Sequence, residues 1–186
     1  MARLFVAVRI APDVADRICR AQADLEPLLS GIRWIKRESL HLTLKFLGHV
    51  DDGGIDAIQA AVEAAAARLP RFNVSCRGLG AFPDIRRPRV FWAGLDGGAL
   101  TALAEATEAA LEPLGFPREQ RPFKPHLTIG RWREGARGGD ALRRVVDEWR
   151  DRDFGAFAVD DAVLFQSTLR RDGAVYTALK TFPLRN

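Results

Sequence analysis

The sequence predicts an α+β protein of two similar lobes, mainly antiparallel sheet with flanking helices around a central cleft. Three observations predict it. Short β-rich runs alternate with segments whose apolar residues recur at helical spacing. Gly- and Pro-rich turns separate them, with no long linker and no low-complexity stretch. Two nearly identical tetrapeptides led by histidine stand one in each half of the chain, as a repeated arrangement requires. The 186 residues are read as one two-lobed domain over 1–186, long enough for a sizeable core.

The elements follow in order. Leu4 to Ile10 is β-rich, and Pro12-Asp13 then opens a helix with an apolar stripe of Val14, Ile18, Ala21, Leu25 and Leu28, closed by Ser30-Gly31. Extended stretches cover 32–35 and 41–47. Asp51-Asp52-Gly53-Gly54 turns the chain into a second helix, with Ile55, Ile58, Val62, Ala65 and Leu69 on one face and Pro70 as its stop. Strands are expected at 72–78 and 89–95, joined by the Pro- and Arg-rich loop 82–88. A third helix carries Leu100, Leu103, Thr107, Leu111 and Leu114 and ends at Gly115. A strand begins near His126, and a short helix carries Leu142, Val145, Val146 and Trp149. Two closing strands, 157–165 and 174–182, flank a polar turn at 170–173.

Composition narrows the class. With 47% hydrophobic and 28% charged residues the chain reads as an ordinary globular protein. A net charge of +4, largely from arginine, permits a polyanionic partner without requiring one. Cys19 and Cys76 make no CxxC pair and are expected to be buried free thiols, which suits a reducing cytoplasm. The N-terminal apolar run is broken at Arg9 and is too short for a signal segment, and no run approaches the roughly 20 residues that span a bilayer. The expected location is therefore cytoplasmic, with no membrane contact and no obligate protein partner.

The chemistry sits in the tetrapeptides His41-Leu42-Thr43-Leu44 and His126-Leu127-Thr128-Ile129, which hold two of the three histidines. In a strand each histidine shares a face with its threonine while the apolar residues face the other way. Each motif thus offers an imidazole and a hydroxyl to a cleft. One neutral imidazole can take a proton from water while a protonated partner gives one to a leaving oxygen. The hydroxyls can donate to non-bridging phosphate oxygens as charge develops. One such strand by itself is better explained by structure; the repeat makes the functional reading the stronger one.

With their surroundings, Leu40-His-Leu-Thr-Leu-Lys-Phe-Leu-Gly48 and Arg121-Pro-Phe-Lys-Pro-His-Leu-Thr-Ile-Gly-Arg131 closely resemble the bacterial RNA 2',3'-cyclic phosphodiesterases, also called 2'-5' RNA ligases, of the two-histidine phosphoesterase superfamily. Leu4-Phe-Val-Ala-Val and Arg87-Pro-Arg-Val-Phe-Trp-Ala-Gly94 fit the same family, so the resemblance spans essentially the whole chain. It implies two lobes with the motifs facing across a cleft, and hydrolysis of an RNA 2',3'-cyclic phosphate to a 2'-phosphate without cofactor. On that pattern His41 matches the proton donor and His126 the proton acceptor. The residues themselves leave the two roles open. A reverse 2'-5' ligation is implied as a secondary activity.

Thr43, Thr128, Arg131 and Lys124 complete the expected site as substrate-binding residues. Lys124 lies two positions before His126, so an unbroken strand would aim it into the cleft, against which Pro125 counts. Arg131 lies five positions after His126 and by strict alternation faces away; reaching the cleft requires a bulge, for which Gly130 is a candidate. Arg86, Arg87 and Arg89 are read as a solvated loop with an RNA backbone as the alternative ligand. Among Phe46, Trp92 and Trp132, stacking on bases competes with a core role. His49 is roughly 26 Å from His41 along a straight strand and has no acidic ligand at useful spacing, so no metal site is expected.

Other classes lack their signatures. None of Ser30, Ser39, Ser75 or Ser167 sits in Gly-x-Ser-x-Gly, no lysine has the glycines of a Walker loop, and Gly78-Leu-Gly80 lacks the third glycine of a dinucleotide fingerprint. The alternatives are a cyclic phosphodiesterase acting on a small nucleotide such as ADP-ribose cyclic phosphate, and a non-catalytic RNA- or nucleotide-binding module.

Overall fold

A computed structural model describes residues 1–170 and 173–186. Among them nine strands form two wholly antiparallel sheets, and four α-helices flank these. The first sheet has the order β3-β1-β8-β9, from β1 (Ala2–Arg9), β3 (His41–Val50), β8 (Asp161–Arg170) and β9 (Gly173–Pro183). The second has the order β2-β6-β5-β4-β7, from β2 (Ile32–Trp34), β4 (Phe72–Phe82), β5 (Val90–Leu95), β6 (His126–Trp132) and β7 (Asp153–Val159). The expected turn at 170–173 includes Arg171 and Asp172, which lie outside the described residues.

Each sheet buries one face under helices. In β1, Leu4 through Val8 are all buried, with Leu4, Val6 and Val8 in the core under the helices. Helices α2 (Ile55–Ala66) and α3 (Gly98–Leu111) pack on each other and cover the first sheet, while α1 (Pro12–Leu25) and α4 (Asp140–Glu148) lie against β7 and β4 of the second. The stripe Val14, Ile18, Ala21 and Leu25 on α1 is buried as expected. Leu28 is exposed instead, because the helix ends at Leu25 and Leu29 turns inward. No helix is long and apolar enough to cross a membrane among the described residues.

Two expectations change. The stretch 157–165 is not one strand: β7 stops at Val159, Asp160 makes a corner, and β8 begins at Asp161 in the other sheet. The lobes are also not the two halves of the chain. The first sheet joins both ends of the sequence, while β2 leaves the first half to pair with β6. Antiparallel pairing at long sequence separation makes this layout, and local pattern carries no record of it.

Gly78-Leu-Gly80 has a structural explanation. Gly78 adopts φ +72° against the Arg150 backbone, and any side chain at Gly80 would collide with the Trp92 indole lying over it. Cys76 is buried, and burial pushes its thiol up to about 12. Cys19 is only partly buried, since it lies beside rather than on the buried stripe of α1.

Candidate active site

Strands β3 and β6 face each other where the two sheets meet. His41, Thr43, His126, Thr128 and Arg131 line one cleft of about 390 Å³. The apolar partners in each motif anchor the strands from behind: Leu42, Leu44, Leu127 and Ile129 are all buried. The alternation read from the tetrapeptides therefore holds in both copies.

Each imidazole is held the same way. His41 Nδ1 lies 2.8 Å from the Ser39 carbonyl oxygen, and His126 Nδ1 lies 2.7 Å from that of Lys124. A carbonyl only accepts, so Nδ1 of each ring carries the hydrogen and donates it. Nε2 is then the atom left for proton exchange: a base in the neutral ring, an acid in the protonated one. Burial pushes both imidazoles below their ordinary value. The carbonyl contact works against that shift, and the nearby Arg131 guanidinium adds to it. His41 is enclosed by Phe5 at 4.9 Å, Tyr176 edge-on at 5.0 Å and Phe165 at 6.4 Å. His126 meets Phe82 edge-on at 5.0 Å.

Past each threonine the strand bulges. Against β1, Val6 pairs with Lys45 and Ala7 with Thr43, so Leu44 is the extra residue. Against β5, Phe91 pairs with Gly130 and Trp92 with Thr128, so Ile129 is the extra residue. The fourth residue of both tetrapeptides is thus unpaired in register, and each bulge reverses the alternation beyond it. Lys45 turns inward to Glu108 at 2.9 Å, and Phe46 turns out to line the cleft with 61% of its surface exposed. Gly130 turns inward against Ile32, and Arg131 turns out. The bulge expected near Gly130 centres one residue earlier, on Ile129. The Ile129 carbonyl accepts from Gln22 Nε2 at 2.8 Å and from the Ile35 amide at 3.0 Å, so α1 holds the bulge in place.

Lys124 is placed at the margin of the site: its ammonium lies 5.9 Å from the centre of the Phe82 ring, which packs on His126, and its carbonyl holds the His126 imidazole. Pro125 prevents the ladder from extending back, and β6 starts only at His126. Arg86 and Arg87 are outside the site, in a loop whose amides donate to the Asp84 carboxylate, and Arg89 pairs with Glu134 at 3.0 Å. Trp92 packs on Phe82, and Trp132 packs on Phe91 and donates to the Ser30 carbonyl. His49 is exposed and off the cleft lining. Among the described residues no three His, Cys, Asp or Glu side chains are grouped to hold a metal.

Several lining residues carry no sequence signal of their own. Arg3, Phe5, Ser167 and Tyr176 reach the cleft because β1, β8 and β9 follow β3 in that order across the first sheet. Tyr176, the sole tyrosine, was the one such residue that its rarity could have flagged. Among the described residues no carboxylate lines the cleft.

A cleft between two antiparallel sheets, with one His-x-Thr pair contributed by each, defines the class: a two-histidine phosphoesterase. The chain belongs to the LigT like phosphoesterase family, whose model matches residues 8–92 and 96–176. It is 32% identical over 183 residues to the RNA 2',3'-cyclic phosphodiesterase of Methanothermobacter thermautotrophicus, covering 98% of each chain. It is 34% identical to that of Aquifex aeolicus, over 92% of this chain and 90% of the relative. A crystal structure from Thermus thermophilus superposes with TM-score 0.83 at 31% identity, over 99% of this chain and 98% of the other. E. coli LigT complexed with 3'-AMP superposes with TM-score 0.77 at 27% identity, over 100% and 99%.

Proposed function

We propose that this single two-lobed domain, 1–186, is a cytoplasmic RNA 2',3'-cyclic phosphodiesterase that opens a terminal cyclic phosphate to a 2'-phosphate by acid–base catalysis without a metal. The observation that carries the reading is the pair of imidazoles from opposite sheets, each tethered through Nδ1, in one cleft beside a guanidinium. The names of the relatives support RNA as the substrate, and the 3'-AMP bound by E. coli LigT supports a nucleotide in the cleft. Two free cysteines suit a reducing compartment.

In this reading His126 Nε2 takes a proton from water as the water oxygen bonds to phosphorus. The P–O3' bond breaks, and His41 Nε2–H supplies the proton to the departing 3' oxygen. Thr43 and Thr128 donate to the non-bridging oxygens, and Arg131 clamps the same phosphate. Phe46 offers an exposed ring for a base. The bound phosphate offsets the Arg131 charge felt by both imidazoles, which favours protonating the donor. With a 5'-hydroxyl in place of water, the same two proton transfers form a 2'-5' linkage as the P–O3' bond breaks and the 3'-hydroxyl is released.

The test is incubation with a short RNA ending in a 2',3'-cyclic phosphate, in chelator, with product identification. A 2'-phosphate is expected. A 3'-phosphate product overturns the leaving group, and activity abolished by chelation overturns the metal-free mechanism. Turnover of ADP-ribose cyclic phosphate alone moves the substrate to small nucleotides. Binding that survives in the absence of any turnover identifies a binding module.

A further inference from the structure

We propose that Arg33, next to Arg131, holds the phosphodiester adjoining the reacting end of an RNA, so that the cleft favours an oligonucleotide over a mononucleotide. This rests on the function proposed above. Arg33 pairs in register with Arg131 across β2 and β6. Directly opposed residues of an antiparallel pair have Cβ atoms about 5 Å apart on one face, and like charges so placed are destabilising. Burial is the main cause that pushes Arg131 below its ordinary value, and the Arg33 charge adds to it.

No acidic side chain among the described residues offsets that repulsion. No carboxylate lies within ion-pair distance of Arg33 or Arg131 among the described residues. An anion between the two would remove the cost.

Position supports the same ligand. Ile35, two residues beyond Arg33, lines the cleft beside the histidines, and its amide continues the pairing with β6. Arg33 therefore lies on the cleft face, one strand outside Arg131. β2 is the edge of its sheet, with no further strand among the described residues to block a chain leaving the cleft. An RNA whose terminal cyclic phosphate sits between His41 and His126 and meets Arg131 can leave across this edge, with its adjoining phosphodiester at Arg33. A charged side chain on an edge strand also discourages aggregation. That role predicts no dependence on substrate length, which separates it from the subsite.

The experiment compares kcat/KM for a 2',3'-cyclic mononucleotide and a trinucleotide with the same terminus, at two salt concentrations, in wild type, Arg33→Gln and Arg33→Lys. The wild type is expected to prefer the trinucleotide. Arg33→Gln is expected to lower the trinucleotide value roughly tenfold more than the mononucleotide value, in the range for hydrogen bonds to a charged group. It should also flatten the trinucleotide salt dependence by about one unit of log–log slope. Arg33→Lys should recover part of both. Mononucleotide turnover serves as the folding control. A wild type without length preference, or an Arg33→Gln effect equal on both substrates or absent from both, overturns the subsite and leaves the cyclic phosphodiesterase reading standing. A wild type that turns over neither substrate removes that reading and the subsite with it.

Discussion

The strand carrying His41 and the strand carrying His126 match each other for four residues and then part. Both tether the imidazole to the carbonyl two residues earlier, both turn a threonine into the cleft, and both bulge at the fourth residue. At the next position the first strand buries Lys45 against Glu108, and the second puts Gly130 against Ile32. One further on, the first presents an aromatic ring, Phe46, and the second a guanidinium, Arg131. In the proposed function, the shared part supplies chemistry that needs two equivalent groups on opposite sides of a phosphorus. On the same proposal the divergent part supplies recognition, for which a nucleotide has two unlike ends: a base that stacks and a phosphate that is charged.

The largest expected effects fall on the shared part. His41→Ala and His126→Ala should each lower kcat by about 10²–10⁴-fold, the usual contribution of a positioned acid or base. The residual pH–rate profiles separate the roles. Loss of the base should remove the acid limb in His126→Ala, and loss of the acid should remove the alkaline limb in His41→Ala. The opposite pattern exchanges the assignments, and near-normal rates refute them.

Next is the inward-facing residue. Lys45 and Glu108 are both largely buried, and Lys45 Nζ also donates to the Pro117 carbonyl. Glu108 additionally accepts from the Glu119 amide, so the pair ties the segment after α3 to β3. Lys45→Met leaves a buried carboxylate unpaired and should cost about 3–5 kcal/mol in urea unfolding. Lys45→Met combined with Glu108→Leu should recover much of that loss. Equal destabilisation in the single and double variants would mean that packing, not charge pairing, holds the segment.

The recognition arms come third. Arg131→Gln should cost about 1.5–3 kcal/mol in kcat/KM, the range for a hydrogen bond to a charged group. Phe46→Ala should cost about 1–3 kcal/mol, as for loss of one stacked base, and mainly through KM. A Phe46→Ala variant with unchanged KM for every base would end the division of labour proposed for the two strands.

The smallest effect is on stability. Both histidines titrate below 6.5 in the folded protein, chiefly through burial, so the unfolded chain binds protons more readily. Their penalty is absent above pH 6.5 and grows as the pH falls from there toward the folded values. Thermal unfolding temperatures should drop over that window in wild type, and less in a variant with both histidines replaced by asparagine. Equal drops in the two proteins would assign the acid sensitivity elsewhere.

Much of this molecule was legible along the chain. The stripe on α1 and both His-x-Thr motifs follow from periodicities of about 3.6 and 2, which a residue and its near neighbours impose on themselves. Family resemblance led to Arg131, although strict alternation pointed it the wrong way. Lys124 went the other way: Pro125 ended the ladder that would have aimed it into the cleft. Phe5, Arg3 and Tyr176 were not legible, because they enter the site only through the order in which strands pair.

By itself, then, the sequence determined the class of fold, the two histidines and threonines with the face they share, and the kind of proton chemistry they can perform. The tertiary structure alone decided which residues come next to them. A bulge exists only relative to a partner strand, so the reversals that turn out Phe46 and Arg131 needed β1 and β5 in register. The corner at Asp160, which sends β8 beside β1 and completes the wall around His41, likewise depends on contacts between opposite ends of the chain.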